Sequence, residues 1–257
     1  MDPTEAQSVS RQLAENLARV RETIAAACAR AGRVPQDVRL VAVTKYVGPG
    51  IIRGLLELGV ADLGENRVQQ IDRRADDLGA SDAELDAVAA GPPPRWHMIG
   101  HLQRNKVRAL LRHVRIIHSL DSVRLIREVE RHAARVGRLV EALIELNIAG
   151  EATKSGAPPE EIDALAEAIR GAAHIRWRGL MTMAPFVPDP QAVRPTFVRL
   201  REILDDLRDR GLAGPECGHL SMGMTNDYPV AVEEGATLVR IGSALFEGIP
   251  RERLMAP

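Results

Sequence analysis

Cysteine and aromatic residues are scarce in this sequence, and each shortage excludes a class of protein. Cys28, in a helical pattern, and Cys217, beside a glycine, have no metal-binding or redox spacing, so small buried thiols and a reducing compartment are predicted. The aromatic residues are two Trp, two Tyr and three Phe. A surface that stacks nucleic-acid bases needs more exposed rings than these supply, so nucleic acid is not an expected partner.

Net charge and long apolar runs are also lacking. Lys and Arg number 34 and Asp and Glu 35, which leaves a formal net charge of -1 and no global field to attract nucleic acid or anionic lipid. No run approaches the roughly 18 apolar residues that span a membrane, and the amino terminus has no apolar signal-peptide block. We therefore expect a soluble cytoplasmic protein without a membrane partner, in which any anion site is local.

The sequence does contain an alternation of strand-like and helix-like segments. An amphipathic helix is predicted over residues 4–32, because apolar side chains recur every three or four positions from Leu13 to Cys28. Eight apolar runs typical of strands follow, at residues 38–45, 61–64, 96–100, 116–119, 140–148, 175–183, 217–222 and 238–241. Helical patterns in the intervals include residues 102–113, 122–136, 159–170, 192–210 and 229–234.

This βα alternation predicts a parallel sheet, and eight βα units in about 250 residues favour a closed barrel over an open sheet. The fold class is therefore α/β: a single TIM-like (β/α)8 barrel with an extra N-terminal helix, occupying residues 1–257 as one domain. The polar stretch 72–86 and the glycine and prolines at 91–94 are interpreted as a long loop within that domain.

A lone lysine ends the first predicted strand. Val41, Val43 and Lys45 share one face because strand side chains alternate with period two. Lys45 is therefore expected to point inward at the carboxyl end of the barrel, where the functional groups of such barrels lie. An amine in a partly dry pocket can attack a carbonyl and form a Schiff base. The alternative is a lysine that simply reaches solvent.

Two turns near the carboxyl terminus have the composition of a phosphate site. The segment from Ser221 to Gly223 lies at the end of the seventh predicted strand, and Gly242 and Ser243 follow the eighth. In barrels of this kind, the loops after strands seven and eight commonly bind phosphate through backbone N–H groups. The two serine hydroxyls would add donors. The alternative is that the glycines serve only tight turns.

Arg240 is a candidate partner for a ligand ring. It alternates with Gly242 in strand eight, and barrel closure puts that strand beside strand one and Lys45. A permanently protonated guanidinium would donate to a pyridine nitrogen and keep that nitrogen unprotonated. The alternative is a salt bridge to Glu216 or Glu65.

Further polar groups are expected at the same end of the barrel. Asn66 follows strand two, and His97 and His101 belong to strand three, so the three could share one rim. Asn66 could instead cap the next helix. No carboxylate completes a metal set around the histidines, so no metal is expected. Lys154 lies in the loop after strand five and is interpreted as a mobile polar group.

The motifs VAVTK, DLGENRVQQ, WHMIGHLQRNK, IHSLDS, LNIAGEATKSG, GLMTM and LSMGMTNDYPVAVEEGATLVRIG resemble those of the YggS/PROSC family, the pyridoxal phosphate homeostasis proteins. They spread over residues 38–248. The resemblance implies a barrel similar to the N-terminal domain of alanine racemase, with pyridoxal 5'-phosphate held as an aldimine on Lys45. Small departures preserve hydroxyl groups, with Thr44 and Thr225 where serine is frequent and Ser243 where threonine is.

The resemblance also implies which residues contact each part of the cofactor. These are Ser221, Gly242 and Ser243 at the phosphate, Arg240 at the ring nitrogen, and Asn66, His97 and Met222 along the ring.

A racemase needs a second acid/base group on the far face of its cofactor. Only nine residues follow Gly248, so a second domain that supplies this group is not expected. The leading hypothesis is a monomer or weak homodimer that holds pyridoxal phosphate and delivers it to apoenzymes, without robust turnover. Two alternatives remain open: a racemase-like enzyme with His97 or a loop residue as proton carrier, and a Schiff-base aldolase whose site holds a sugar phosphate.

Overall fold

Eight parallel strands close into a barrel in the computed structural model, which describes residues 3–78, 93–151 and 155–255 and only the backbone of residues 3–6. In chain order they are β1 (Arg39–Val43), β2 (Asp62–Glu65), β3 (Arg95–Met98), β4 (Val114–Leu120), β5 (Val140–Glu145), β6 (Ile175–Met181), β7 (His219–Met224) and β8 (Leu238–Ile241). β1 pairs with β8, placing Val41 opposite Arg240, and this pairing closes the sheet. The predicted α/β barrel and its eight strands are confirmed.

Helices precede the barrel and fill the intervals between strands. They are α1 (Pro3–Arg30), α2 (Pro49–Glu57), α3 (Val68–Asp77), α4 (Val107–Leu110), α5 (Val123–Val136), α6 (Ile162–Arg170), α7 (Arg194–Asp209), α8 (Tyr228–Glu233) and α9 (Arg251–Leu254). None of the helices within the described ranges is both long enough and apolar enough to cross a bilayer.

Both faces of the strands are buried, as in other parallel barrels. Val41, Leu143, Met181 and Leu238 form a small apolar cluster in the barrel interior. The intervening strand residues, such as Ala42, join a larger core that the barrel shares with its helices. Because strand side chains alternate, the core that a residue joins shows which way it points.

The predicted N-terminal helix is confirmed as α1. It packs against the segment of the chain that follows β8. Its apolar stripe is buried, and the same face carries Asn16, which is fully buried. The Asn16 amide donates to the carbonyl oxygens of Leu245, at 2.9 Å, and Glu247, at 2.8 Å. These bonds satisfy the backbone just after β8. α1 thereby holds the loop that carries one of the predicted phosphate turns.

Some predicted boundaries differ from the observed ones. The helix predicted at 102–113 is reduced to α4 and a preceding 3-10 turn at Arg104–Lys106, neither of which has a side-chain cap. β7 extends two residues beyond the predicted strand, to Met224. Part of the polar stretch that was interpreted as a loop, up to Asp77, belongs to α3. Cys28 and Cys217 are free and buried, as predicted.

Candidate functional site

Lys45 lies in a turn just beyond β1, at the carboxyl end of the barrel. Val41 joins the interior cluster. Because side chains alternate along a strand, Lys45, four residues later, is on the same side at the mouth of the barrel. The side chain is half-buried, and its ammonium group lies 5.1 Å from the centroid of the Tyr46 ring, within cation–π range. The place of Lys45 at the carboxyl end is as predicted, and the inward direction of its amine stays a prediction.

Buried polar groups hold the Lys45 turn from behind. The Thr44 hydroxyl donates to Glu65 Oε1 at 2.6 Å, and Glu65 forms an ion pair with Arg74 of α3. Arg74 also donates to the carbonyl oxygen of Val47 at 2.8 Å. Both ends of the turn are therefore tied to one buried charge pair, which limits the positions that Lys45 can occupy.

The two predicted phosphate turns meet through Thr225. Its hydroxyl lies 3.4 Å from the amide nitrogen of Gly242 and 3.5 Å from that of Ala244, so both N–H groups point toward it. Ser243 begins a 3-10 turn after β8, and its side chain is exposed. This arrangement gathers backbone and hydroxyl donors from the loops after β7 and β8.

Ser221 and Met222 do not lie where their predicted roles require. β7 continues past both, so Ser221 is a fully buried interior residue, and its hydroxyl contacts Arg240 and His118 instead of the turn. Met222 points the opposite way and packs in the core shared with the helices. The hydroxyl at the turn belongs to Thr225. A cofactor contact through either the Ser221 hydroxyl or the Met222 side chain is not favoured by this geometry.

Arg240 is buried in the barrel interior and held at two nitrogens. Nη1 donates to the Ser221 hydroxyl at 2.6 Å, and Nη2 donates to the carbonyl oxygen of Thr182 at 2.9 Å. Burial lowers the pKa of Arg240 to about 10, so the guanidinium is protonated at neutral pH. The alternative salt bridge to Glu65 is wrong, because Glu65 pairs with Arg74.

His97 and Asn66 lie at different depths. The His97 ring is fully buried, with Nε2 2.9 Å from Asp62 and Nδ1 2.8 Å from His118. It therefore does not share the rim with His101, which is exposed and pairs with Asp121 at 3.2 Å. His97 is the third residue of the short strand β3, below the strand's end, and this explains the difference.

Asn66 does lie at the rim, half-buried beyond β2. Its backbone packs so closely against Gly100 that a Cβ at Gly100 would approach the Asn66 carbonyl oxygen to 2.7 Å. Asn66 also lines a cavity of about 540 Å³ together with Arg67, His101 and Lys106. Asn66 does not cap α3, whose N-cap residue is Arg67.

Sequence reasoning missed Asp62, His118 and Glu145, all nearly inaccessible inside the barrel. His118 and Glu145 each interrupt an apolar strand, and this pattern in the sequence could have identified them as candidates. Clustered histidines and carboxylates can hold a metal, but the described ranges contain no group of His, Cys, Asp and Glu that could do so. Lys154, a candidate loop group, lies outside the described residues.

The residues present fit a ligand with an electrophilic carbonyl and an anionic group. Lys45 supplies an amine at the mouth of the barrel, and the turns after β7 and β8 supply converging N–H and hydroxyl donors. One of these turns is not sterically closed, because a Cβ on Gly242 would make only an ordinary contact with Val43, at 3.5 Å. Arg240 adds a fixed cation in the interior.

Comparison with known proteins agrees with this geometry. Residues 11–250 match the family described as alanine racemase, N-terminal domain. The pyridoxal phosphate homeostasis protein of Aquifex aeolicus is 42% identical over 233 residues, covering 90% of this chain and 96% of the relative.

Two solved structures are similar over nearly their whole length. A structure described as an unknown protein from Bifidobacterium adolescentis is 36% identical with a TM-score of 0.85, covering 96% of this chain and 97% of that one. PipY of Synechococcus elongatus PCC7942, solved with PLP bound, is 30% identical with a TM-score of 0.76, covering 91% and 99%. The chain therefore belongs to the alanine racemase N-terminal domain family and, within it, to the pyridoxal phosphate homeostasis proteins.

Proposed function

We propose that this protein binds pyridoxal 5'-phosphate at the carboxyl end of its barrel, as an aldimine on Lys45, and that it stores and delivers the cofactor. The observation that carries the proposal is that Lys45 and the two donor-rich turns lie at the same end of the barrel, with the buried Arg240 in the interior beside β1. Each matches a different part of this cofactor: its aldehyde, its phosphate and its ring.

The chain's own groups have separate tasks in this proposal. Lys45 supplies the attacking amine. The Thr225 and Ser243 hydroxyls and the amides around Gly242 bind the phosphate dianion, and protonated Arg240 donates to the ring nitrogen. When bound, the cofactor supplies an electron sink, which an arginine partner weakens by keeping the ring nitrogen unprotonated.

The comparisons support the identity of the ligand. The Aquifex relative carries the name pyridoxal phosphate homeostasis protein, and PipY was solved with PLP bound. Those statements concern the relatives, and the donor set described above extends them to this chain. An aldolase with a sugar phosphate in the site would use the same lysine and turns, but it would have no use for a buried arginine at a ring nitrogen.

Delivery is favoured over turnover by the surroundings of the site. The racemase-like alternative assigned proton transfer to His97 or a loop residue. The His97 ring is fully buried and both of its nitrogens already have partners, which disfavours His97 in that role. Tyr46, beside Lys45, is 72% exposed, so this side of the mouth is open to solvent and to a docking apoenzyme.

A covalent trapping experiment tests the binding proposal. The sequence has three lysines, Lys45, Lys106 and Lys154. The purified protein incubated with pyridoxal phosphate should show an absorption band in the near-visible range, and borohydride should bleach that band and add cofactor mass to the peptide containing Lys45. Lys45→Ala should abolish the band, whereas Lys106→Ala, at another half-buried lysine on the same end, should keep it. A trapped aldimine in Lys45→Ala would show that another amine is used.

A transfer assay tests the delivery part of the proposal. The loaded protein should activate an apo-transaminase faster than the same concentration of free pyridoxal phosphate mixed with the Lys45→Ala variant. Turnover of amino acids at ordinary enzymatic rates, roughly 1 per second or more, would instead support the racemase-like alternative.

A further inference from the structure

Five buried polar residues from five strands form one continuous hydrogen-bonded chain through the barrel. It runs from Asp62 (β2) to His97 (β3), His118 (β4), Ser221 (β7) and Arg240 (β8). The four contacts measure 2.9, 2.8, 2.8 and 2.6 Å in that order. Every member is at most 5% exposed, so water does not compete for these contacts.

The two ends of this chain have fixed hydrogen-bonding roles. A guanidinium only donates, so Arg240 must donate to the Ser221 oxygen. An ionised carboxylate only accepts, and Asp62 is ionised: burial opposes this, but hydrogen bonds from Arg95 and His97 outweigh it and hold the pKa of Asp62 far below its usual range. The chain therefore begins with a donor and ends with an acceptor.

Burial favours the neutral form of both histidines between these ends. Burial lowers the pKa of His97, against the opposing effect of Asp62. Burial also places the pKa of His118 well below its usual range, reinforced by the positive charge of Arg240. A neutral imidazole has one donor nitrogen and one acceptor nitrogen. Each ring can therefore pass a hydrogen bond on in one direction only.

These roles determine every proton in the chain. His97 must carry its proton on Nε2 to reach Asp62, so His97 Nδ1 accepts from Nε2–H of His118. His118 Nδ1 is then an acceptor, and it takes the proton of the Ser221 hydroxyl. The Ser221 lone pairs are consequently turned toward Arg240. In the opposite orientation, the lone pair of His97 Nε2 would face the Asp62 carboxylate, which is repulsive.

We propose that Asp62, His97, His118 and Ser221 are positioning residues that act together to hold the Arg240 guanidinium in place for the ring of the ligand. The carboxylate of Asp62 orients the two rings, the rings orient the Ser221 hydroxyl, and the hydroxyl together with the Thr182 carbonyl clamps Arg240. The role toward the ligand rests on the proposed function, but the orientation of the protons does not.

The orientation of the protons can be measured in the protein without cofactor. Nitrogen-15 NMR of histidine-labelled protein near neutral pH should show His97 and His118 as neutral rings protonated at Nε2, with Nδ1 at the shift of an acceptor nitrogen. Asp62→Asn, which removes the fixed acceptor, should give mixed tautomers at both rings. The matched control is Glu130→Gln, at the partly exposed His174–Glu130 pair, and it should leave both buried rings unchanged.

The effect on the ligand can be measured by titrating apoprotein with pyridoxal phosphate. Ser221→Ala should weaken binding roughly tenfold, equivalent to about 1.4 kcal/mol, and Ser221→Thr, which keeps the hydroxyl, should restore most of it. Circular dichroism checks that both variants are folded.

An imidazolium or an Nδ1–H tautomer at either ring, or unchanged binding by folded Ser221→Ala, would overturn the positioning proposal. Wild-type protein that shows the expected tautomers but binds no pyridoxal phosphate would contradict the proposed function and leave the proton orientation intact.

Discussion

The pKa values of two carboxylates inside the barrel are shifted in opposite directions, because their oxygens have different partners. Asp62 accepts two hydrogen bonds from Arg95 and one from His97. Glu145 accepts one from the Ser155 hydroxyl at 2.6 Å, and its other oxygen is buried without a partner among the described residues. Burial therefore raises the pKa of Glu145, and the nearby charge of Asp121 adds to this effect.

Glu145→Gln is expected to stabilise the apoprotein at neutral pH. A raised pKa means that the folded state disfavours the ionised form of Glu145. The resulting loss of stability is fully present above the pKa of the folded state, and it disappears as pH falls below the pKa of the unfolded state, about 4.3. The free energy of unfolding of the variant should exceed that of the wild type by about 1–2 kcal/mol at pH 7, and the difference should vanish at low pH. Urea denaturation at several pH values measures it.

Glu141→Gln is the matched control for this prediction. Glu141 lies on the same strand, but its side chain is 34% exposed and pairs with Arg178 at 3.1 Å. Its replacement should not stabilise the protein. A Glu145→Gln variant less stable than the wild type at pH 7 would show that the ionised carboxylate is favoured in the fold, in the field of Arg240.

The end of β7 and the turn after β8 differ in why each needs a glycine. Gly223 has φ of +91°, and a Cβ there would lie 2.6 Å from the Ala231 Cβ and 2.9 Å from the Tyr228 Cα. Gly242 has φ of -116°, and a Cβ there would meet only Val43 at 3.5 Å, an ordinary contact. Gly223 is therefore required by the fold, while Gly242 leaves room for something other than the protein.

Alanine substitution should separate these two requirements. Gly223→Ala should lower the free energy of unfolding by about 2 kcal/mol or more, because it combines backbone strain with a clash. Gly242→Ala should leave apoprotein stability within about 0.5 kcal/mol but weaken pyridoxal phosphate binding, because the methyl group occupies the approach to the amides. Thermal unfolding and ligand titration give the two measurements. Equal loss of stability in both variants would contradict a ligand-related role for Gly242.

The strands were predictable because apolar runs and helical patterns alternate with nearly constant spacing, and β8 agrees with its prediction at both ends. The position of Lys45 followed from the alternation in β1. The roles of Ser221 and Thr225 did not, because the sequence does not reveal that β7 continues to Met224 and displaces the turn. Likewise, alternation shows that His118 and Ile117 face opposite ways, but only barrel closure determines which one faces the interior.

The completed barrel has different chemistry at its two ends. Lys45 and the donor-rich turns occupy the carboxyl end, whereas Asp62 begins β2 at the amino end, where it contacts Arg95 at 2.5 Å and Arg39 at 3.9 Å. Asp62 thus joins three adjacent strands at one end and is the terminal acceptor of the chain that reaches Arg240. The stability of the barrel and the geometry of the ligand site consequently depend on the same buried carboxylate.

Asp62→Asn is expected to destabilise the apoprotein at neutral pH by about 2–4 kcal/mol, because it leaves Arg95 facing an amide that offers it less negative charge. The folded pKa of Asp62 is depressed, so its stabilisation is complete above the unfolded pKa, about 3.9, and is lost as pH falls below that value. The difference between wild type and variant should therefore shrink below about pH 4, which urea denaturation at pH 7 and pH 3 would measure. Asp163→Asn, at an exposed pair with Arg210, should change stability little at either pH. If Asp62→Asn has wild-type stability at pH 7, the carboxylate does not hold the amino end together, and the fixed acceptor of the interior chain would have to be sought elsewhere.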